Sequence, residues 1–295
     1  MENNLHESVL LKEVREALHI DKGFKYIDAT VGNGGHSLEI LKEGGQVLGI
    51  DLDPEMVEIS IKRLGGEAFP PSRWKIVRGN FIHIDSIAKE NGFNPVNGIL
   101  LDLGVTNLHL KDLERGFSFG NPEAPLDMRI NSETEGVKAS DLLNVLREDQ
   151  LEDLFKVTLD PGAAKWITGR VLHSREGKTI ATVGDLLEIS EGLKIGKPGL
   201  NEATLPFLAL RIAVNSELSN LEEVLPKAFD LLIKGGRLVV ISFHSGEDAI
   251  VKNFFKEKSK DGAKITTFKP ILAGEEEISV NRRARSAKMR ILEKN

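Results

Sequence analysis

Three aspartates in the first hundred residues, Asp28, Asp51 and Asp102, each close a short apolar run. Between the first two lies Gly32-Asn33-Gly34-Gly35-His36-Ser37. Glycines let a backbone turn sharply and approach a ligand closely. A glycine turn leading from a strand into a helix is the arrangement of a nucleotide-type cofactor site. Asp51 stands nineteen residues beyond Gly32, where a carboxylate accepts hydrogen bonds from a ribose diol. Two cofactors compete for this pattern, a nicotinamide dinucleotide and S-adenosylmethionine. The dinucleotide asks for G-x-G-x-x-G, with a helix N-terminus facing a pyrophosphate. Here Ser37 replaces the third glycine, and Asp28 brings an acid to the strand end. S-adenosylmethionine has no phosphate and carries a sulfonium and an ammonium group, so acids at three strand ends favour it. Each acid taken alone reads as a cap or turn residue.

These residues must be positioned by a sheet. Strand-like runs at 25–29, 46–51, 74–78 and 96–103 alternate with helical patterns at 35–42, 54–64 and 84–89, the signature of a parallel sheet with crossover helices. Pro54 after Asp53 is a good helix start, because proline has no N–H to leave unbonded there. The next convincing strand, 236–243, follows Lys234-Gly235-Gly236. A crossover needs only about a dozen residues, so about a hundred are surplus, the size of a small domain. The chain therefore reads as α/β, a Rossmann-like doubly wound sheet over residues 1–110 and 215–295, with an inserted, mainly helical substrate-recognition domain over 111–214. The return is predicted as one long amphipathic helix carrying Phe207, Leu210, Val214, Leu218, Leu221 and Leu225. Ser245 is expected to open the next helix, through residue 255, and strands at 264–268 and 287–292 to close the sheet.

Composition narrows the chemistry. The chain has 295 residues, 39 Lys plus Arg, 45 Asp plus Glu and no cysteine. It is long enough to bury a full core without a disulfide or metal staple. Without cysteine there is no thiolate zinc site and no cysteine nucleophile. The seven histidines show no metal-ligand spacing, so no metal is expected. No apolar stretch approaches the ~20 residues of a membrane span, and acids flank the short apolar run near the N-terminus. A soluble cytoplasmic protein is the expectation. The net charge of −6 averages two unlike parts. Residues 252–295 carry 12 basic and 6 acidic side chains, net +6, leaving −12 on the rest. A basic tail on an acidic body suits a protein that meets an anionic partner at one place.

Several runs together carry a resemblance: VLLKEV (9–14), DATVGNGGHS (28–37), DLDP (51–54), GILLDLGVTNLHL (98–110), RGFSF (115–119), PLDMR (125–129), ALRIAVNSEL (209–218), GGRLVVISFHSGED (235–248) and RARSAKMR (283–290). In their order and number they resemble the bacterial RsmH (MraW) family over nearly the whole chain. The resemblance implies a class I S-adenosylmethionine-dependent methyltransferase that modifies the exocyclic N4 of one cytidine in the decoding centre of 16S rRNA, within the small ribosomal subunit. It implies cofactor contacts at Gly34, Gly35, His36, Asp51, Phe81, Asp102 and His109. The family usually has glutamine where His109 stands. Other departures, Asn201 to Leu208 in place of a basic, threonine-rich run, Gly246 and Ala249 in place of leucine and arginine, and Arg282 in place of proline, bear on the RNA footprint rather than the reaction. A homodimer is compatible with the sequence, which does not fix the oligomeric state.

Transfer to an amine is an in-line displacement, so the protein must mainly hold amine, methyl and sulfur in line. An acceptor for the amine hydrogens would localise a lone pair otherwise delocalised into the cytosine ring and take the surplus proton. Asp102 is the first candidate, with a backbone carbonyl near Gly104 as the alternative. Methylation at carbon 5 of cytosine needs a cysteine adduct, which this chain cannot form. The target base must leave its stack. Arg115, Phe117, Phe119, Asp127 and Arg129 are expected to wall its pocket, unless the two phenylalanines are core. Arg282, Arg283 and Arg285, with Lys288 and Arg290, are the expected phosphate contacts, with Asn281 to Ser286 over the active site. His244 and Ser245 read as a helix cap and a packed histidine rather than a hydrolase pair. The remaining alternatives are a methyltransferase of another RNA or small-molecule amine, a cofactor-binding assembly factor without chemistry, and a nicotinamide oxidoreductase.

Overall fold

A computed structural model describes residues 8–133, 136–195 and 199–295. The chain divides into two compact units, Met1–Gly104 with Leu218–Asn295, and Val105–Glu217. The boundaries expected from the sequence are 110/111 and 214/215, whereas the compact units divide at 104/105 and 217/218.

The first unit is built on seven strands: β1 (Lys25–Asp28), β2 (Gln46–Asp51), β3 (Trp74–Arg78), β4 (Val96–Asp102), β5 (Leu232–Ser242), β6 (Lys264–Ile265) and β7 (Lys288–Glu293). Their order is β3-β2-β1-β4-β5-β7-β6. The first five run parallel, and β7 is antiparallel to both β5 and β6. Successive side chains leave a strand on opposite faces, and the core divides accordingly. Ile27, Ile99, Leu101, Leu238 and Val240 enter one apolar cluster. Tyr26, Leu100, Val239 and Ile241 enter the other. Strands buried on both faces read as unbroken apolar runs, which is why these segments stand out in the sequence.

Three elements differ from expectation. β5 starts at Leu232, four residues early, because the Gly235-Gly236 pair forms an irregularity inside the strand: Val96 pairs with Leu232 and Gly98 with Arg237, so the register jumps between them. β6 stops at Ile265, after which the Thr266 N–H still reaches the Ile291 carbonyl and Ile271 forms an isolated bridge with Met289. The helix after β5, Ser245–Lys260, is capped by His244 and not by Ser245.

The second unit is helical, as the pattern of its sequence suggests, with helices at Ala139–Val145, Glu148–Lys156, Pro161–Gly177, Val183–Ser190 and Thr204–Val214. Their apolar faces form one cluster that includes Leu143, Phe155, Ile167, Leu186 and Leu210. The single return helix expected across 207–225 is two, Thr204–Val214 and Glu217–Leu231. Ser216 between them takes a positive φ of 51°. The Asn215 side chain donates to the Met128 carbonyl and accepts from the Ile130 N–H, at 2.9 and 2.8 Å, which fixes the chain where the first helix ends.

Candidate functional site

Asp28, Asp51 and Asp102 end β1, β2 and β4, and because those strands are parallel the three acids share the carboxyl edge of the sheet. The crossovers reverse direction between β1 and β4, and ligands of open α/β sheets bind outside the strand ends at such a point.

The glycine turn is braced by one of these acids. Gly32 and Gly34 have φ of 51° and 80°, a left-handed backbone that side-chain-bearing residues avoid. Asp51 accepts the Gly32 N–H at 2.8 Å through one oxygen and the Asp53 N–H at 3.0 Å through the other. The Asp51 carboxylate thus ties the turn to the start of the helix Pro54–Gly65. That helix returns Arg63, which donates to the carbonyl and the side-chain oxygen of Asn33, both at 3.2 Å. Gly35 faces Ser8 so closely that a Cβ would lie 2.0 Å from the Ser8 Oγ.

The electrostatics separate the three acids. Asp51 keeps some solvent contact, yet burial lifts its carboxyl to about 6 against the two N–H donors that lower it. Asp28 is wholly buried and accepts the Ser37 hydroxyl at 2.8 Å. Burial pushes its carboxyl up, while His36 and Ser37 pull it down. Asp28 therefore supplies less of the negative charge that the sequence suggests for this strand end. Asp102 is held by its backbone, whose N–H donates to the Thr30 hydroxyl at 2.7 Å. One of its carboxylate oxygens lies 3.8 Å from the Nε2 of buried His36.

Four buried polar atoms here have no hydrogen-bond partner among the described residues: Oδ1 of Asp28, Oδ1 of Asp102 and both ring nitrogens of His36. Buried polar groups are rarely left so without a ligand or water to satisfy them. An aminoacyl sulfonium nucleoside offers what this edge lacks, cationic groups for the carboxylates and a diol for Asp51. The donor set fits S-adenosylmethionine. Phe81 opens a short turn after β3, capped by the Asn80 side chain. Its partly buried ring packs on the cluster that holds Ile50 and Ile99.

The basic tail reaches the same edge. Arg282–Ser286 form a short 3-10 turn. Arg283 turns inward, donating to the Leu103 carbonyl at 3.3 Å and lying 4.5 Å above the Phe243 ring. Arg282 and Arg285 are exposed. Arg290, expected at the phosphate surface, is instead buried and bidentate on Asp248 at 2.7 and 3.2 Å. Lys288 approaches the same carboxylate at 3.6 Å. His244 caps the following helix by accepting the Glu247 N–H at Nδ1, and Glu247 accepts the Phe243 N–H at 2.7 Å.

The remaining candidates lie in the second unit, where they serve one another. His109 is buried and caps its own short helix, its Nδ1 accepting the Thr106 N–H at 3.2 Å. This places the proton of a neutral ring on Nε2. Phe117 stacks on His109 at 5.4 Å, and Arg115 lies 5.6 Å over Phe117 while donating to the carbonyls of Arg129 and Ile130. Arg129 grips Asp127 through two bonds of 2.7 Å. Burial would raise the Asp127 carboxyl, but Arg129 outweighs it and holds it below its usual range. Phe117 and Phe119 are core or packed on it, Phe119 meeting Phe207 edge to face at 4.6 Å. Sequence reasoning missed Thr30, Arg63 and Asn215. Thr30 sits inside the recognisable DATVGN run, whereas Arg63 and Asn215 act across long sequence separations and carry no local signal.

The model of the MraW methylase family matches residues 3–295. The Ribosomal RNA small subunit methyltransferase H of Dictyoglomus thermophilum is 40% identical over 99% of this chain and 97% of its own length. The protein of the same name from Heliobacterium mobile is 39% identical over 98% of both chains. A Streptococcus mutans chain described as a methyltransferase, in complex with SAH, superposes with a TM-score of 0.50 at 12% identity, covering 98% of this chain and 100% of that one. At that identity the likeness speaks for the fold alone.

Proposed function

The chain belongs to the MraW methylase family, and from that premise we propose that it methylates the exocyclic N4 of a cytidine in the decoding centre of 16S rRNA, within the small ribosomal subunit. It is an S-adenosylmethionine-dependent rRNA methyltransferase. The observation that carries the cofactor assignment is the acid-lined carboxyl edge with its unpartnered atoms on Asp28, His36 and Asp102. Gly34 and Gly35 would let the backbone approach the cofactor, Asp51 would accept the ribose diol, Phe81 would pack on the adenine, and His36 and Asp102 would hold the methionine end; His109, in the second unit, is the further contact that the resemblance implies. When bound, S-adenosylmethionine supplies an electrophilic methyl group on sulfur.

The protein's own work is orientation and proton acceptance. Asp102, fixed through its N–H on Thr30, accepts a hydrogen bond from the cytosine amine. That contact localises the nitrogen lone pair, and the same carboxylate receives the proton the amine loses. Arg282 and Arg285 in the tail are the cations offered to RNA; in the insert, Arg115, Asp127 and Arg129 present their own polar surface, with Phe117 packed in the core behind them. Since Arg115, Asp127 and Arg129 are mutually bonded, their part is to shape the surface rather than to reach for phosphates. The test is methyl incorporation into small ribosomal subunits lacking the modification, mapped by nucleotide. One cytidine gaining an N4 methyl is the expected result. A different atom or nucleotide, or no incorporation, overturns it.

A further inference from the structure

Arg283 stands among three basic residues that the sequence offers to RNA, yet it is the one turned into the protein. Its guanidinium lies 4.5 Å from the centre of the Phe243 ring and donates at 3.3 Å to the Leu103 carbonyl. Phe243 directly follows β5, and Leu103 directly follows Asp102 at the end of β4. These strands are neighbours, with Asp102 opposite Ile241, and the Leu103 N–H already bonds to the Ile241 carbonyl. Leu103, the residue after Asp102, is thereby held at its N–H by β5 and at its carbonyl by the C-terminal turn.

The turn itself is anchored. Asn281, Ala284 and Ala287 are buried, and the Ser242 hydroxyl donates to the Lys288 carbonyl at 3.3 Å. Arg282 and Arg285, on either side of the inward arginine, are exposed. A cation stacked on an aromatic face and donating to a carbonyl is held in direction as well as distance, as a planar guanidinium allows and a lysine ammonium does not.

We propose that Arg283 is a positioning residue for methyl transfer: it fixes the backbone next to Asp102 to the C-terminal turn, so that RNA docking through Arg282 and Arg285 and the placement of the Asp102 carboxylate are set by one joint. This rests on the methyltransferase assignment and on Asp102 as the amine acceptor. It removes Arg283 from the phosphate contacts and gives it a separate signature.

The experiment compares wild type with Arg283→Ala, Arg283→Lys and Phe243→Leu, the last removing the aromatic face while keeping an apolar side chain. Methylation of small subunits is measured as kcat and KM, cofactor affinity by calorimetry, and amide exchange at residues 102–104 by mass spectrometry. Misplacing a reacting group by about 1 Å can cost roughly a hundredfold in rate. Arg283→Ala is expected to lower kcat tenfold or more, in the range of about ten- to a hundredfold, with KM for the subunit and cofactor affinity changing less than about threefold. Methylguanidinium added to the alanine variant should restore part of kcat, and exchange at 102–104 should rise. Arg283→Lys and Phe243→Leu should fall between wild type and alanine. A loss confined to KM makes Arg283 a phosphate contact and overturns the proposal, as does unchanged exchange at 102–104. If Arg283→Ala does not fold, the lysine and leucine variants decide by the same criteria. The exchange measurement needs no substrate, so failure of the wild type to methylate subunits refutes the assignment of function separately.

Discussion

Asp51 makes a quantitative prediction, because its carboxyl titrates within an accessible pH range. Burial places it near 6 in the protein without ligand. A ribose diol donates hydrogen bonds, so the ionised carboxylate is the binding form. The ionised fraction is about nine-tenths at pH 7 and about one-tenth at pH 5, and apparent affinity scales with the competent fraction. The dissociation constant of S-adenosylmethionine should therefore rise about tenfold between pH 7 and pH 5. Asp51→Asn should flatten that dependence and weaken binding at pH 7. The same shift predicts an opposite effect on stability. A carboxyl whose folded pKa lies above its unfolded value costs nothing below about pH 4 and withdraws stability as pH rises through 6, by at most about 3 kcal/mol. Asn restores that amount less the loss of one acceptor for Gly32 or Asp53, about 1 kcal/mol. The variant should thus melt higher than wild type at pH 7 without ligand while binding the cofactor less well. Calorimetric titration at pH 5, 6, 7 and 8, with melting curves in the same buffers, provides the check. Equal affinity at pH 5 and 7 in the wild type refutes the reasoning. An undiminished pH dependence in Asp51→Asn refutes the assignment of the titration to Asp51.

Asp102→Ala should lower kcat by about a hundredfold or more without lowering the melting temperature, since its Oδ1 has no hydrogen-bond partner to lose; near-normal turnover with the cofactor bound sinks the carboxylate role. Replacing Arg282 and Arg285 together by alanine should flatten the plot of log affinity for RNA against log salt by roughly 1.4, two phosphates' worth, leaving cofactor affinity unchanged; an unaltered slope discards both contacts. Asp248→Ala leaves Arg290 buried without its carboxylate and should destabilise by about 3 kcal/mol or more in urea unfolding. Burial raises the Asp248 carboxyl but Arg290 holds it lower, so this contribution is present at neutral pH and lost on acidification; no difference between variant and wild type at pH 7 contradicts it.

Strands β1, β2 and β4 were legible because each is short, apolar and largely buried. β2 and β3 match their sequence limits at both ends, as their patterns are bounded by glycine, proline and charge. The insert was legible as surplus length. The break at Asn215–Ser216 was not, because apolar residues at helical spacing continue across it. What stops the helix is an asparagine bonded to backbone more than eighty residues away, and no window of sequence contains both partners. The cap at His244 was obscured for a related reason, since Ser245 is the stronger N-cap by type and only the Glu247 contacts shift the start. Within the site, residue types identified the three acids, but burial assigned their roles. A carboxyl sealed beneath the turn and one at its rim look alike in a sequence.

The tail makes the same point about charge. Its net of +6 suggested an RNA-binding strand, but several of its cations are committed within the protein. Arg290 and Lys288 meet Asp248. Lys294 donates to the Phe229 and Asp230 carbonyls, and Arg283 clamps Leu103. Strand β7 is the last to enter the sheet and lies between β5 and β6, so its outward-looking basic sequence is largely the means by which it is held there. Arg282 and Arg285 are exposed beside it, at the edge where Asp102 ends its strand. Phosphate affinity depends on the charges available to a ligand, not on their sum along the chain. On that basis two arginines on an anchored turn give a sharper account of the RNA contact than twelve basic residues in a tail.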